Sequence, residues 1–122
     1  QNIKKNKDVC PFTFMYLHFN CDGTVSPCTL DWPRKVVIGN ANIESVKEIW
    51  FGKKMRQLQI AMLIGKRNKI NFCNGCSAPM VCLDEDLDPH KSEVLSTRHV
   101  TEEELIEPNP WLTSRVNLLH KV

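Results

Sequence analysis

The sequence lacks any apolar run approaching the ~20 residues that a membrane-spanning helix needs. It also lacks a secretion signal, because residues 1–8 are polar and basic and contain no apolar core. It begins with Gln1 and has no initiator methionine, which favours a fragment of a longer or processed protein. We therefore expect a cytoplasmic protein that has no membrane partner.

An excess of charge of either sign is also absent. The formal net charge is only +2, from 16 basic and 14 acidic side chains, and the two kinds are interspersed. No basic stripe alternates with aromatic residues, so we expect no nucleic-acid partner. A chain of 122 residues with 42% hydrophobic residues is long enough for one domain, which would bury roughly 65% of its unfolded surface.

The most informative feature is a set of six cysteines. Cys10 and Cys28 enclose 17 residues, 44 residues then pass without a cysteine, and Cys73-x-x-Cys76 follows. Three disulfides are one possibility, but the C-x-x-C spacing and the missing secretion signal favour reduced thiols. Four thiolates suit either zinc or an iron–sulfur cluster, and spacing alone does not choose between them.

The residues around the first two cysteines predict a β-hairpin. Residues 12–19 are rich in aromatics and predict a strand, and residues 25–28 predict the return strand. Asp22-Gly23 between them is a strong turn signal, since glycine supplies the positive φ that such turns require. The hairpin would bring Cys28 back toward Cys10, so the spacing predicts two sulfurs in one place.

Helices are predicted after the hairpin and a short apolar run. Residues 43–50 have helical periodicity, with Ile43, Val46, Ile49 and Trp50 on one face and Asn42 or Ser45 as the cap. Residues 53–64 form a stronger helix that ends at Gly65. Its predicted inner stripe comprises Met55, Leu58, Ala61 and Met62.

Three further helices are predicted toward the end of the chain. Asp88 before Pro89 predicts a capped helix to about Leu95, Thr101 begins a capping box, and residues 111–120 suit an amphipathic helix. The expected fold class is therefore α+β, a small β-hairpin plus helices closed around a four-cysteine site.

Taken together, these motifs resemble the SPASM and twitch auxiliary-cluster domains, which lie C-terminal to the barrel of radical S-adenosylmethionine (SAM) enzymes. The resemblance covers about residues 9–95, with residues 1–8 as a linker or disordered lead and residues 96–122 as a helical tail. The motifs that carry it are Cys10-Pro-Phe, Asp22-Gly-Thr-Val-Ser-Pro-Cys28, Ile38-Gly-Asn40, Ser45-Val-Lys-Glu-Ile-Trp50, Cys73-x-x-Cys76 and Asp86-Leu-Asp-Pro89.

The resemblance implies one [4Fe–4S] cluster. The one-cluster pattern of C-x17-C and C-x2-C is supplied in full, and its ligands are Cys10, Cys28, Cys73 and Cys76. The two-cluster pattern is matched as far as Cys82, but Asp86 then stands where a cysteine is expected and none follows. Cys21 and Cys82 are then extra, and the simplest interpretation of both is a small buried apolar residue. The alternative for Cys82 is a degenerate second site with Asp86 as a further ligand. The alternatives for Cys21, in the turn beside the site, are replacement of a ligand or an exposed thiol.

The resemblance further implies electron relay or support of a substrate pocket, because a fully ligated cluster has no open iron. Cations near the cluster would tune its reduction potential. The candidates are Arg34, Lys35, Lys66 and Arg67, although exposure on a solvated loop is the simpler interpretation of each. No three cysteines have the C-x3-C-x2-C spacing of a radical SAM core. The expected partner is thus a radical SAM barrel that acts on a peptide or small molecule. The alternative is a zinc-stabilised interaction module without a redox role.

Overall fold

A computed structural model describes residues 7–81 and 85–106. Within them the chain forms short strands and helices, which confirms the α+β class. The strands are β1 (His18–Phe19), β2 (Thr24–Ser26) and β3 (Gly39–Asn40). The α-helices are α1 (Val46–Trp50), α2 (Lys53–Leu63), α3 (Ala78–Val81), α4 (Lys91–Ser96) and α5 (Glu102–Ile106). Short 3-10 helices span Pro11–Phe14, Arg67–Lys69 and Asp88–His90.

The three strands form one antiparallel sheet in the order β1-β2-β3. The predicted hairpin is confirmed, since Phe19 pairs with Val25 across a turn in which Gly23 has a φ of 96°. Val25 also pairs with Gly39 of β3 and is fully buried. Cys28 lies two residues beyond the end of β2, the central strand of this small sheet.

The predicted strand over residues 12–19 is wrong for most of its length. Pro11 instead begins a 3-10 helix, and the carbonyl of Cys10 accepts hydrogen bonds from the Thr13 amide at 3.1 Å and the Thr13 hydroxyl at 2.8 Å. The buried Gln59 side chain of α2 donates to the Thr13 carbonyl at 2.9 Å. This tertiary contact favours the tight turn over the strand that the aromatic residues would otherwise form.

Helix α2 lies at the centre of the core. Its predicted inner stripe is confirmed, because Met55, Leu58, Ala61 and Met62 are all buried. The helix contacts α1, α4, α5 and the first 3-10 helix. No helix in the described parts of the chain is both long enough and apolar enough to cross a membrane.

Helix α1 begins three residues later than predicted, because Ser45, the second of the two predicted caps, caps it. The Ser45 hydroxyl accepts from the Glu48 amide at 3.1 Å, and the Glu48 carboxylate accepts from the Ser45 amide at 2.9 Å. Ile43 therefore lies outside the helix and is 80% exposed. Of the predicted apolar face, only Ile49 is fully packed into the core.

The segment after residue 84 returns to the start of the described chain. The prediction that Asp88 caps the following helix is wrong. Its buried carboxylate instead accepts hydrogen bonds from the amides of Asp8 and Val9, both at 2.9 Å. Lys91 also pairs with Asp8. The Thr101 capping box is confirmed through Glu104. Cys82 and the predicted helix over residues 111–120 lie outside the described residues.

Candidate metal centre

Cys10 is positioned by the residues on both sides of it. Val9 is fully buried and its amide is held by Asp88, while the 3-10 helix turns the chain immediately after Cys10. Cys10 itself is 9% exposed. The backbone at this cysteine is therefore fixed by contacts to the segment around residue 88 and to α2.

Cys28 is delivered by the hairpin, as the spacing predicted. Ser26 is fully buried at the end of β2, and Pro27 follows it directly. The amide of Leu30 donates to the Cys28 sulfur at 3.3 Å. An amide donor of this kind stabilises negative charge on a thiolate, which is the form that binds metal.

Cys73 and Cys76 lie in a tight turn that follows the fully buried Ile70. The Asn74 amide donates to the Ile70 carbonyl at 2.9 Å, and the Cys76 amide donates to the Cys73 carbonyl at 3.2 Å. Gly75 has a φ of 76°, a left-handed conformation that glycine adopts without strain. The turn directs both cysteines toward one cavity.

All four cysteines line the same small, largely apolar cavity. Its volume is about 20 Å³, so the lining side chains must move apart to admit a group larger than about one water molecule. The other lining residues are Phe12, Thr13, Pro27, Arg67, Phe72, Ala78 and Pro79. Arg67 is the one charged residue among these described neighbours.

Burial of the cavity disfavours thiolates in the metal-free protein. Desolvation raises the pKa of Cys10 to about 11, and it also raises the pKa values of Cys28 and Cys73. The other thiols add to the shift, and the positive charge of Arg67 opposes it at Cys10 and Cys73. Metal binding at these sulfurs therefore has to displace protons.

The donor set is the one that an iron–sulfur cluster requires, because a cluster spreads four thiolate ligands over several metal atoms. The four thiols come from three segments of the chain and line one apolar cavity. Zinc would require its sulfur ligands at about 2.3 Å from one point. As they stand, the described His, Cys, Asp and Glu side chains form no group of three or more that could hold a metal ion, so the sulfurs would have to shift to bind either group.

Two of the other predicted ligands, Cys21 and Asp86, are described by the structure and do not line the cavity. Cys21 is exposed in the hairpin turn, and Asp86 accepts from the Asp88 amide at 3.1 Å; neither lines the cavity. Cys82 lies outside the described residues, so a second site involving these three residues stays a prediction. The described cysteines, Cys21 included, are free thiols.

Sequence reasoning missed most of the contacts that support the site. Asp88 was predicted to cap a helix, but its carboxylate binds the amides of Asp8 and Val9 instead. The hydrogen bond from Gln59 to Thr13 could not be inferred from the helical periodicity of α2. Of the four cations that the sequence offered as neighbours of the site, Arg67 lines the cavity, whereas Arg34 lies in the loop between β2 and β3 and pairs with Asp22.

Comparison with known proteins places the arrangement in a family. Residues 10–77, more than half of the chain, match a family described as "SPASM: Iron-sulfur cluster-binding domain". The S-adenosyl-L-methionine-dependent 2-deoxy-scyllo-inosamine dehydrogenase of Niallia circulans is 30% identical over 66 residues, which cover 54% of this chain and 26% of that protein. No solved structure matches.

These matches confirm the resemblance on which the cofactor prediction depended. An iron–sulfur cluster is the group that this family binds, and the zinc alternative gains no support. The matched region contains all four cysteines of the cavity, from Cys10 to Cys76. The chain belongs to the family of SPASM iron–sulfur cluster-binding domains.

Proposed function

We propose that this domain holds one auxiliary [4Fe–4S] cluster through Cys10, Cys28, Cys73 and Cys76. One observation carries the proposal: four cysteines from three distant segments line a single cavity. The family match agrees, since it covers all four positions. A cluster with four thiolate ligands has no open coordination site, which favours electron relay or support of a substrate pocket over direct binding of substrate.

A bound cluster would supply one-electron chemistry, and the protein would control its surroundings. Phe12, Phe72 and Pro79 exclude water from the cavity, which limits hydrolytic loss of iron. The Leu30 amide donates to the Cys28 sulfur and stabilises the thiolate. Arg67 supplies positive charge beside the ligands, where four thiolates would leave net negative charge.

We further propose that the domain works beside a radical SAM barrel in the cytoplasm. The named relative depends on S-adenosyl-L-methionine, and the chain spans only about a quarter of its length. Trp32, Ile43 and Phe51 are exposed apolar side chains that such a neighbouring domain could contact. A peptide or small molecule is the proposed substrate class, and the free thiols suit a reducing compartment.

The test is the metal content of protein that is purified and reconstituted without oxygen. We expect about four iron and four sulfide per chain, as a [4Fe–4S] cluster requires. Cys76→Ser removes one ligand and should abolish stoichiometric binding. Cys21→Ser is the matched control, because Cys21 is exposed and lies outside the cavity, and it should retain the full content.

Two results would contradict the proposal. Unchanged iron in Cys76→Ser would remove this cysteine from the ligand set. About one zinc without sulfide, persisting after reconstitution with iron and sulfide, would contradict the cluster itself.

A further inference from the structure

We infer that Arg67 is the positioning residue of the cluster site, tying the segment that carries Cys10 to the Cys73–Cys76 turn. The Arg67 Nε donates to the Lys7 carbonyl at 3.0 Å. Its Nη1 donates to the carbonyls of Cys73 at 3.2 Å and Cys76 at 3.1 Å. One guanidinium therefore joins two parts of the site that are 66 residues apart in sequence, from Lys7 to Cys73.

The shape of the side chain explains why arginine suits this position. A guanidinium is planar and presents its donors in fixed directions, so it can hold several carbonyls at once. A lysine ammonium keeps the charge but is a single, freely rotating point on a flexible stem. We therefore expect lysine at this position to retain the electrostatic effect of Arg67 and to lose most of the hydrogen bonds that link the two segments.

The neighbourhood of Arg67 supports both roles. Arg67 begins the 3-10 helix that leads into the fully buried Ile70, so its backbone is anchored next to the cysteine turn. Burial raises the pKa values of Cys10 and Cys73, and the Arg67 charge acts against that rise. Among the described residues that line the cavity, no other side chain carries a charge.

The inference rests on the proposed four-cysteine cluster, and its test compares three variants of the full chain. Arg67→Gln removes both the charge and the planar guanidinium, whereas Arg67→Lys keeps the charge and removes only the guanidinium. Arg56→Gln is the control, because Arg56 pairs with Glu104 on α5 and does not line the cavity. Circular dichroism first establishes that each variant folds. If Arg67→Gln does not fold, the comparison uses Arg67→Lys instead.

The first readouts use reconstituted protein. Both Arg67 variants should lose iron to a chelator faster than wild type, by roughly the tenfold in metal affinity that removal of a supporting partner of a ligand typically costs. The reduction potential should become more negative in Arg67→Gln, because the reduced, more negative cluster loses a nearby cation. It should stay near the wild-type value in Arg67→Lys and in Arg56→Gln.

The last readout uses metal-free protein and separates this inference from the proposed function. In both Arg67 variants the amide of Cys76 should exchange its hydrogen faster than in wild type, because the guanidinium no longer links the turn to Lys7. Wild-type protein that never binds four iron atoms per chain would contradict the proposed cluster. The exchange rate of the Cys76 amide would still test the link that Arg67 makes between Lys7 and the cysteine turn. Iron loss and amide exchange at wild-type rates in both Arg67 variants would overturn the role of Arg67.

Discussion

At the residue scale, the buried thiol of Cys10 predicts how the stability of the metal-free chain depends on pH. Its pKa rises from an ordinary 9.0 to about 11, mainly through desolvation. A raised folded-state pKa contributes stability below the unfolded pKa and loses it as pH rises through the folded pKa. The free energy of unfolding should therefore fall between about pH 9 and 11, by about 2 to 3 kcal/mol from this group.

Urea unfolding of the metal-free, reduced chain at a series of pH values measures this dependence. Cys10→Ala removes one titrating group and should make the decline in this window shallower, although Cys28 and Cys73, whose pKa values burial also raises, still contribute to it. Cys21→Ala, at an exposed position, should leave the decline unchanged. Equal slopes for wild type and Cys10→Ala would show that burial of Cys10 is not the cause.

The sequence alone singled out the four cysteines as candidate ligands, since hairpin geometry and C-x-x-C spacing are local properties; that they bind a cluster stays a prediction. The groups that hold those cysteines were not predictable in the same way. Asp88 reaches the amide of Val9 across 79 residues, and Gln59 reaches Thr13 across 46. Such bonds depend on packing between distant segments, and no local pattern records them.

At the element scale, Gly39 shows why the Ile38-Gly-Asn40 motif suits this fold. Gly39 pairs with Val25 in the sheet, and a Cβ added to it would lie 2.8 Å from Cγ1 of Ile49 in α1. Gly39→Ala should therefore destabilise the domain by about 1–3 kcal/mol, because the core has no room for the added methyl group. Chemical denaturation of the metal-free chain measures the loss.

A double-mutant cycle identifies the cause of that loss. In an Ile49→Ala background the obstructing side chain is gone, so Gly39→Ala should cost much less than in wild type. An equal cost in both backgrounds would locate the strain elsewhere than in the contact between β3 and α1.

The elements that were predicted well are those with strong local signals. Helix α2 has an apolar stripe, and α1 and α5 each begin at a capping box. The segment over residues 12–17 was predicted wrongly because its aromatic residues favour a strand, while Pro11 and the bond from Gln59 impose a turn. Pro11 and a tertiary contact thus overrode the local strand preference of this segment.

At the scale of the whole molecule, the hydrophobic core adjoins the four-cysteine cavity, and we expect the two regions to differ in stability. The core surrounds α2 and includes the fully buried Val9, Val25 and Ile49. The cysteine turn lies at its edge, where Asn74 and Gly75 are exposed. Local stability follows buried apolar contact, so the turn should open more readily than α2.

Removal of the cluster should therefore loosen the turn and leave α2 folded. We expect the amides of Asn74 and Cys76 to exchange much faster after chelation, while those of Leu58 and Met62 on α2 keep most of their protection. Hydrogen exchange of loaded and chelated protein measures both regions at once, and metal-free Cys76→Ser should match the chelated wild type. Loss of protection along α2 would instead mean that metal binding supplies the folding free energy of the whole domain, as it does in small zinc-dependent folds.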